Sequence, residues 1–223
     1  MRLIAAFLLA LFAAIPAVAQ APANWTRTVT LAPGGAYVLG NPRASRLIEY
    51  VSYTCPHCAA FMAEASGPLR SNWVRRGLIS IEVRNAIRDR YDLTAAVLAR
   101  CGGKARFFDD HEALFANHAA WMTKVQAYDA GNPAPAGDEA AVLEGIATGT
   151  GLSDLMVKRG LPVAQQRACF ADKATLTLLS AMARDAWDVK KIGGTPSFSV
   201  AGKAIPDAHD WATLRPALPV LAK

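Results

Sequence analysis

Residues 47–53 read LIEYVSY, a β-rich run, and Thr54-Cys55-Pro56-His57-Cys58 follows at once, so two cysteines stand where that run ends. Behind them Ala59, Ala60, Phe61, Met62, Ala63 and Glu64 are good to acceptable helix formers, and Pro56 suits a first helical turn. The order predicts a strand that feeds directly into a helix starting at about Cys55. Gly67-Pro68 is expected to break or kink that helix. LISIEVRNA, at 78–86, alternates apolar Ile79, Ile81 and Val83 and reads as a second strand closing a βαβ unit. Such an opening commits the chain to an α/β fold.

Before this unit the sequence reads as a polar arm. From about Asp89 to Ala171 the spacing turns helical, first through Leu93, Ala96, Val97 and Arg100, then through Phe107, Phe108, His111, Leu114 and Phe115. Residues 89–171 are therefore expected to be an inserted helical region, with DAGNPAPAGD (129–138) as a Pro/Gly-rich loop inside it. A long helix follows from about Asp172 to Lys191 and stops at Gly193-Gly194. TPSFSV (195–200), the turn Ala201-Gly202 and KAI (203–205) form a hairpin, and DWATLRPALPVLAK closes the chain as a helix interrupted by prolines.

The first nineteen residues carry one positive charge at Arg2, an apolar run from Leu3 to Ile15, then Pro16 and small residues at Ala17 and Ala19. This is the pattern of a secretory signal, with cleavage expected after Ala19 or else after Ala21. No later stretch approaches eighteen uninterrupted apolar residues, so a soluble exported protein is expected. Export matters for the cysteines, because disulfides persist outside the cytosol and all four cysteines lie beyond the signal. The remaining 204 residues, in a chain 52% hydrophobic, build a core without help from bridges. The net charge of +6 is spread along the chain, with only short pairs such as Arg75-Arg76 and Lys190-Lys191, which marks a solvated surface and not a nucleic-acid interface.

Cys55 and Cys58 thus admit three uses: metal, lock or electron carrier. A structural zinc site needs a second such pair, whereas Cys101 and Cys169 are isolated in sequence. An inert lock is disfavoured because a ring this small at a strand-to-helix junction is strained and accessible, which suits exchange. At a helix N-terminus the Cys55 sulfur meets unpaired N–H groups and the positive end of the helix dipole, both of which favour a thiolate. A protonated His57 would lower its pKa further, and Pro56 holds the turn. Cys55 is then the attacking thiol and Cys58, one turn on, the resolving one. His111-Glu112 lacks the second histidine of a zinc protease, and His111, His118 and His209 read as surface or satisfied residues. The aromatic cluster Phe107, Phe108, Leu114, Phe115 and Trp121 reads as core. No phosphate-binding glycine loop occurs, and neither a cofactor nor a metal is expected.

With C-P-H-C behind a strand, a helical insertion, and Gly193-Gly194-Thr195-Pro196-Ser197-Phe198 before a hairpin, the chain resembles the DsbA branch of the thioredoxin superfamily over nearly its whole length beyond the signal. The resemblance implies a thioredoxin fold over 20–88 and 172–223 with the helical insertion at 89–171. It also implies that Pro196 is a cis-proline facing the Cys55–Cys58 pair, with Thr195 beside a bound substrate. Glu49, six residues before Cys55, matches the family's buried acid, a proton acceptor for Cys58; an exposed edge-strand glutamate is the other reading. A subset of the family carries a second disulfide in the insertion, which makes Cys101 and Cys169 candidates for a structural bridge or else for two buried thiols.

The implied function is that of a periplasmic thiol-disulfide oxidoreductase that donates its Cys55–Cys58 disulfide to reduced exported proteins. The family further implies reoxidation by a membrane quinone reductase of the DsbB type. Thr195 stands where the best-known oxidase has Val and where isomerases also carry Thr, so an isomerase or reductase using the same pair stays open. A non-enzymatic secreted binding protein is the alternative from another class. The short arm before the first strand leaves no room for a separate dimerisation domain, so a monomer is expected.

Overall fold

The computed structural model describes residues 24–132 and 138–221. The expected signal sequence and most of the proline-rich loop at 133–137 lie outside the described residues. The secondary structure begins with a hairpin, β1 (Val29–Leu31) and β2 (Tyr37–Gly40), where the sequence suggests only an arm. Its apolar run, Tyr37-Val38-Leu39, is too short to stand out, but Gly34 and Gly35 take positive φ in the turn and all of β2 is buried.

Next come β3 (Ser45–Val51), α1 (Pro56–Pro68) and β4 (Ile79–Asn85), and β3 pairs with β4 in parallel, as the βαβ reading predicts. The helix is not broken at Gly67-Pro68. Pro68 takes ordinary helical angles, and a π-helical turn over Leu69–Val74 continues α1. Widening the turn absorbs the donor that proline lacks. Further along, α8 (Lys173–Arg184) likewise continues as a π-helical turn over Asp185–Val189, and the hairpin β5 (Ser197–Val200) and β6 (Lys203–Ile205) follows. The six strands form one sheet in the order β1-β2-β4-β3-β5-β6. The central strand β3 has Glu49 opposite Val83 on one side and Phe198 on the other.

Alternation along β3 sends Leu47 and Val51 into the main core while Ile48 and Tyr50 join a smaller cluster with Ala86, Ala186 and Trp187. Between β4 and α8 the chain forms α2 (Arg90–Cys101), α3 (Phe107–Ala116), α4 (His118–Gly131), α5 (Glu139–Gly149), α6 (Leu152–Lys158) and α7 (Val163–Phe170). The α4 helix thus takes in residues 129–131, which the sequence reading gives to a loop. These helices share one core with the sheet: the Phe107 ring lies 4.5 Å from that of Tyr37, and the Arg100 guanidinium lies 4.5 Å over the same Tyr37 ring. Asp110, fully buried, is held by Arg106 and Arg159, which ties α3 to the end of α6. The short α9 (Trp211–Leu214) starts on a capping box made by Asp210 and Thr213.

Cys101, at the end of α2, is bridged to Cys169 in α7 across a sequence separation of 68. Closing a loop of that length is worth about 4 kcal/mol in the unfolded chain. We therefore expect the double variant Cys101→Ala/Cys169→Ala to lose roughly that much stability in urea unfolding of the otherwise unchanged protein. A loss under about 1 kcal/mol would show the bridge to be energetically idle.

Candidate active site

Cys55 is the residue that caps α1: its backbone is extended (φ −86°, ψ 118°), Pro56 follows as the first helical residue, and the Cys55 carbonyl accepts from Ala59 N–H at 3.2 Å. Both cysteines are free and buried. Enclosure is tighter than the accessible pair expected from sequence, with Cys55 only 2% exposed. The reason is the loop ahead of β5, where the peptide Thr195-Pro196 is cis and Cys55 Sγ lies 3.0 Å from the Thr195 carbonyl oxygen. Pro196 is buried and His57 and Pro56 are exposed.

The two sulfurs titrate in opposite directions. A hydrogen bond from the Cys58 thiol is the chief influence that lowers the Cys55 pKa to about 4; burial opposes it, and the Thr195 hydroxyl and the backbone N–H groups of Cys58 and His57 add to it. Cys58 is pushed up by burial first and then by the bond and charge it shares with Cys55. The Thr195 hydroxyl oxygen is buried with no hydrogen-bond partner among the described residues. His57 is exposed, and its backbone N–H is among the groups that lower the Cys55 pKa.

Two acids that the sequence reading passes over hold the loop in front of Cys55. Asp92 accepts from the backbone N–H of Tyr53 at 2.7 Å and of Arg88 at 3.0 Å. Asp89 caps α2 through Asp92 N–H at 2.8 Å and accepts from the Thr54 hydroxyl at 2.8 Å. Burial raises the Asp92 pKa to about 7. Asp89-x-x-Asp92 is a legible helix start, but nothing in the sequence says which loop it faces.

Glu49 is 2% exposed on the α1 side of the sheet, which settles the edge-strand alternative against it. Burial first, then the neighbouring charge of Glu112, raises its pKa to about 8. The histidines that read as surface or satisfied residues are not bystanders. His111 is fully buried, its Nδ1 2.7 Å from the Tyr53 hydroxyl. His118 is half-buried beside the Thr54 backbone and Cys55, with a pKa lowered mainly by burial. His209 places Nδ1 3.0 Å from the Pro196 carbonyl. A groove of about 540 Å³ opens beside that loop, lined by Ile192, Phe198, Ile205, Pro206 and His209 among others.

A family model described as thioredoxin matches residues 33–219. Among solved structures, a protein-disulfide isomerase from Novosphingobium aromaticivorans is 36% identical, with a TM-score of 0.75 over 81% of this chain and 93% of that one. The alpha-DsbA1 of Wolbachia pipientis, 22% identical with a TM-score of 0.62 over 76% of each chain, shares the fold. A Rickettsia prowazekii relative that carries the provisional name protein-disulfide oxidoreductase is 29% identical over 168 residues, 74% of this chain and 54% of its own. The chain spans about half the length of the curated relatives it matches.

A thiolate held down to about pH 4 predicts that iodoacetamide modifies Cys55 of the reduced protein at a nearly constant rate above pH 5 or so, the rate falling only through about 4. A midpoint near the ordinary thiol value of about 8.5 would overturn the site's electrostatics. For the loop, Asp92→Ala leaves the buried Tyr53 N–H unpaired and frees the part-buried Arg88 N–H, and should cost about 2 kcal/mol in urea unfolding. Asp92→Asn, which keeps an acceptor oxygen, should cost less.

Proposed function

Since the chain belongs to the thioredoxin family, we propose that it is a periplasmic thiol-disulfide oxidoreductase that donates a Cys55–Cys58 disulfide to exported proteins. The opposed titration of the two sulfurs carries this reading. A substrate thiolate attacks Cys55 Sγ, the Cys55–Cys58 bond breaks, and Cys58 leaves as a thiolate that its surroundings drive to take up a proton. Glu49, raised to about 8 and so protonated at neutral pH, is the acid assigned to that proton traffic. A second substrate thiolate then attacks the substrate sulfur of the mixed disulfide and expels Cys55. Two substrate thiols become a disulfide, and the protein's disulfide becomes a dithiol. The thiol of lower pKa leaves faster, so Cys55 is the better departing group.

The same stabilisation makes the disulfide oxidising. Holding a thiolate at about 4 stabilises the dithiol at pH 7 by at most about 4 kcal/mol, or roughly 90 mV, before solvent screening at the helix end reduces it. The Thr195 carbonyl lies against Cys55 Sγ, and the groove beside the Thr195-Pro196 loop supports the reading of an extended peptide as substrate. Reoxidation is assigned to a DsbB-type membrane quinone reductase, and the chain is taken to act as a monomer without a bound cofactor. The 20–88 and 172–223 segments are taken as the redox unit and 89–171 as its insertion.

An isomerase is the second reading, favoured by Thr195 and by the 36% identical protein-disulfide isomerase. Equilibration of the mature protein with glutathione buffers decides between them through the Cys55–Cys58 potential. A value above about −150 mV is expected for the oxidase; one near about −180 mV would make the chain an isomerase, and one near about −270 mV a reductase.

A further inference from the structure

One face of the sheet is only partly covered. Alternation along β3 turns Ile48 and Tyr50 away from the α1 side, and antiparallel pairing sets Ser199 and Ser197 of β5 opposite them, with Ala204 of β6 beyond Ser199. On this face the π-helical turn after α8 packs Ala186 and Trp187 with Tyr50, and the groove of about 540 Å³ lies over the strands that remain. Residues 190–193 line it and lead directly into the Thr195-Pro196 loop. The Ser197 hydroxyl, donating to the Gly194 carbonyl at 2.7 Å, holds that junction.

The charges along the groove do not balance. Arg84 is held by Glu82 at 2.7 Å and Asp185 at 2.8 Å, and Glu82 also holds Arg46 at 2.7 Å, so two cations and two anions form a neutral cluster. Lys190 and Lys191 are exposed and have no ion-pair partner among the described residues, and no Asp or Glu lines the groove beside them. Asp188 and Asp207, the acids nearest in sequence, are exposed and outside the lining. Lys191 also takes a positive φ, 50°, a left-handed position that glycine fills without strain. A lysine kept there holds a cation at the groove against that strain.

We propose that this groove selects among substrates: it takes the stretch of an unfolded exported protein next to the reacting cysteine and favours one that carries an acidic side chain. The proposal rests on the oxidoreductase reading. A polypeptide whose thiol reaches Cys55 meets the Thr195 carbonyl, 3.0 Å from that sulfur, and Lys191 stands four residues before Thr195. Extended chain covers about 3.3 Å per residue, so a carboxylate about three to five residues from the substrate cysteine comes within reach of the lysines. Ile48, Ile192, Ile205 and Pro206 offer apolar contact to its neighbours. Opposite charge speeds the encounter, and like charge on a basic stretch works against it.

The test uses the oxidised mature protein and cysteine peptides of one length that carry Glu, Gln or Lys about four residues from the cysteine. Reduction of the Cys55–Cys58 bond is followed by acid quenching and mass measurement, each rate being taken relative to that of glutathione with the same protein, so that changes at the sulfurs cancel. We expect the Glu peptide to exceed the Lys peptide roughly fivefold in kcat/KM at low salt, and the gap to close at about 0.5 M salt. In Lys190→Gln/Lys191→Gly the preference should vanish; glycine suits the backbone at 191, so the variant keeps the fold. Equal rates for the three peptides, or a preference that survives the double variant, overturns the proposal. Binding of the same peptides with serine in place of cysteine is measured by calorimetry. Serine peptides that bind in the order Glu over Lys, with no cysteine peptide oxidised, would leave the groove's selectivity standing and remove the oxidoreductase reading.

Discussion

The site depends on how the end of β3 is joined to the start of α1, and that join is held by a buried carboxylate. Ser52, Tyr53 and Thr54 are buried loop residues, so their backbone groups need partners that a strand no longer supplies. Asp92 takes the Tyr53 N–H and Asp89 takes the Thr54 hydroxyl, both from the start of α2. That fixes where Cys55 enters the helix, and with it which N–H groups its sulfur meets. The cost is a carboxyl buried deeply enough to titrate near 7, offset only where its acceptor oxygens stay occupied.

From that placement the asymmetry of the sulfurs follows. Cys55 stands just outside the helix, where the Cys58 thiol, the Thr195 hydroxyl and two backbone amides converge on it. Cys58 is a turn further in and fully buried, so it serves as donor and resists ionising beside the Cys55 charge. One geometric step along a helix thereby separates a sulfur that favours the thiolate from one that favours the thiol. The exposed imidazole of His57 stands between them in sequence, and it is the amide of that residue which joins the convergence.

Much of this arrangement is legible in the order of the residues, and the parts that are not have physical causes. The βαβ unit is readable because strand and helix periods alternate cleanly from Leu47 to Asn85, and the late hairpin because Ala201-Gly202 punctuates it. The β1–β2 hairpin is not, since three apolar residues carry too little periodicity and their burial comes from pairing with β4. Pro68 misleads because a proline inside a helix normally ends it, whereas a π-helical turn accommodates it here. At the site, the cysteines announce themselves by spacing, and Thr195, Pro196 and Glu49 are reached through the resemblance to the DsbA branch. Asp92, His118 and His209 are legible by neither route, because each reaches the site from another element and only tertiary packing brings it there.

Those unannounced residues suggest a division of labour in the fold. The sheet and α1 supply the sulfurs and the cis-proline loop, the parts to which the proposed bond exchange is assigned. The stretch between β4 and α8 supplies Asp89 and Asp92 at the loop, His118 beside Cys55, and His111 and Glu112 beneath the helix. The proposed exchange would leave charge on a sulfur in a buried pocket, and a buried charge has to be paired or neutralised. A helical layer packed against the face that carries Glu49 places titratable groups around that charge without opening the sulfurs to water. Because the helices between β4 and α8 share one core with the sheet, their polar side chains are held as rigidly as the cysteines.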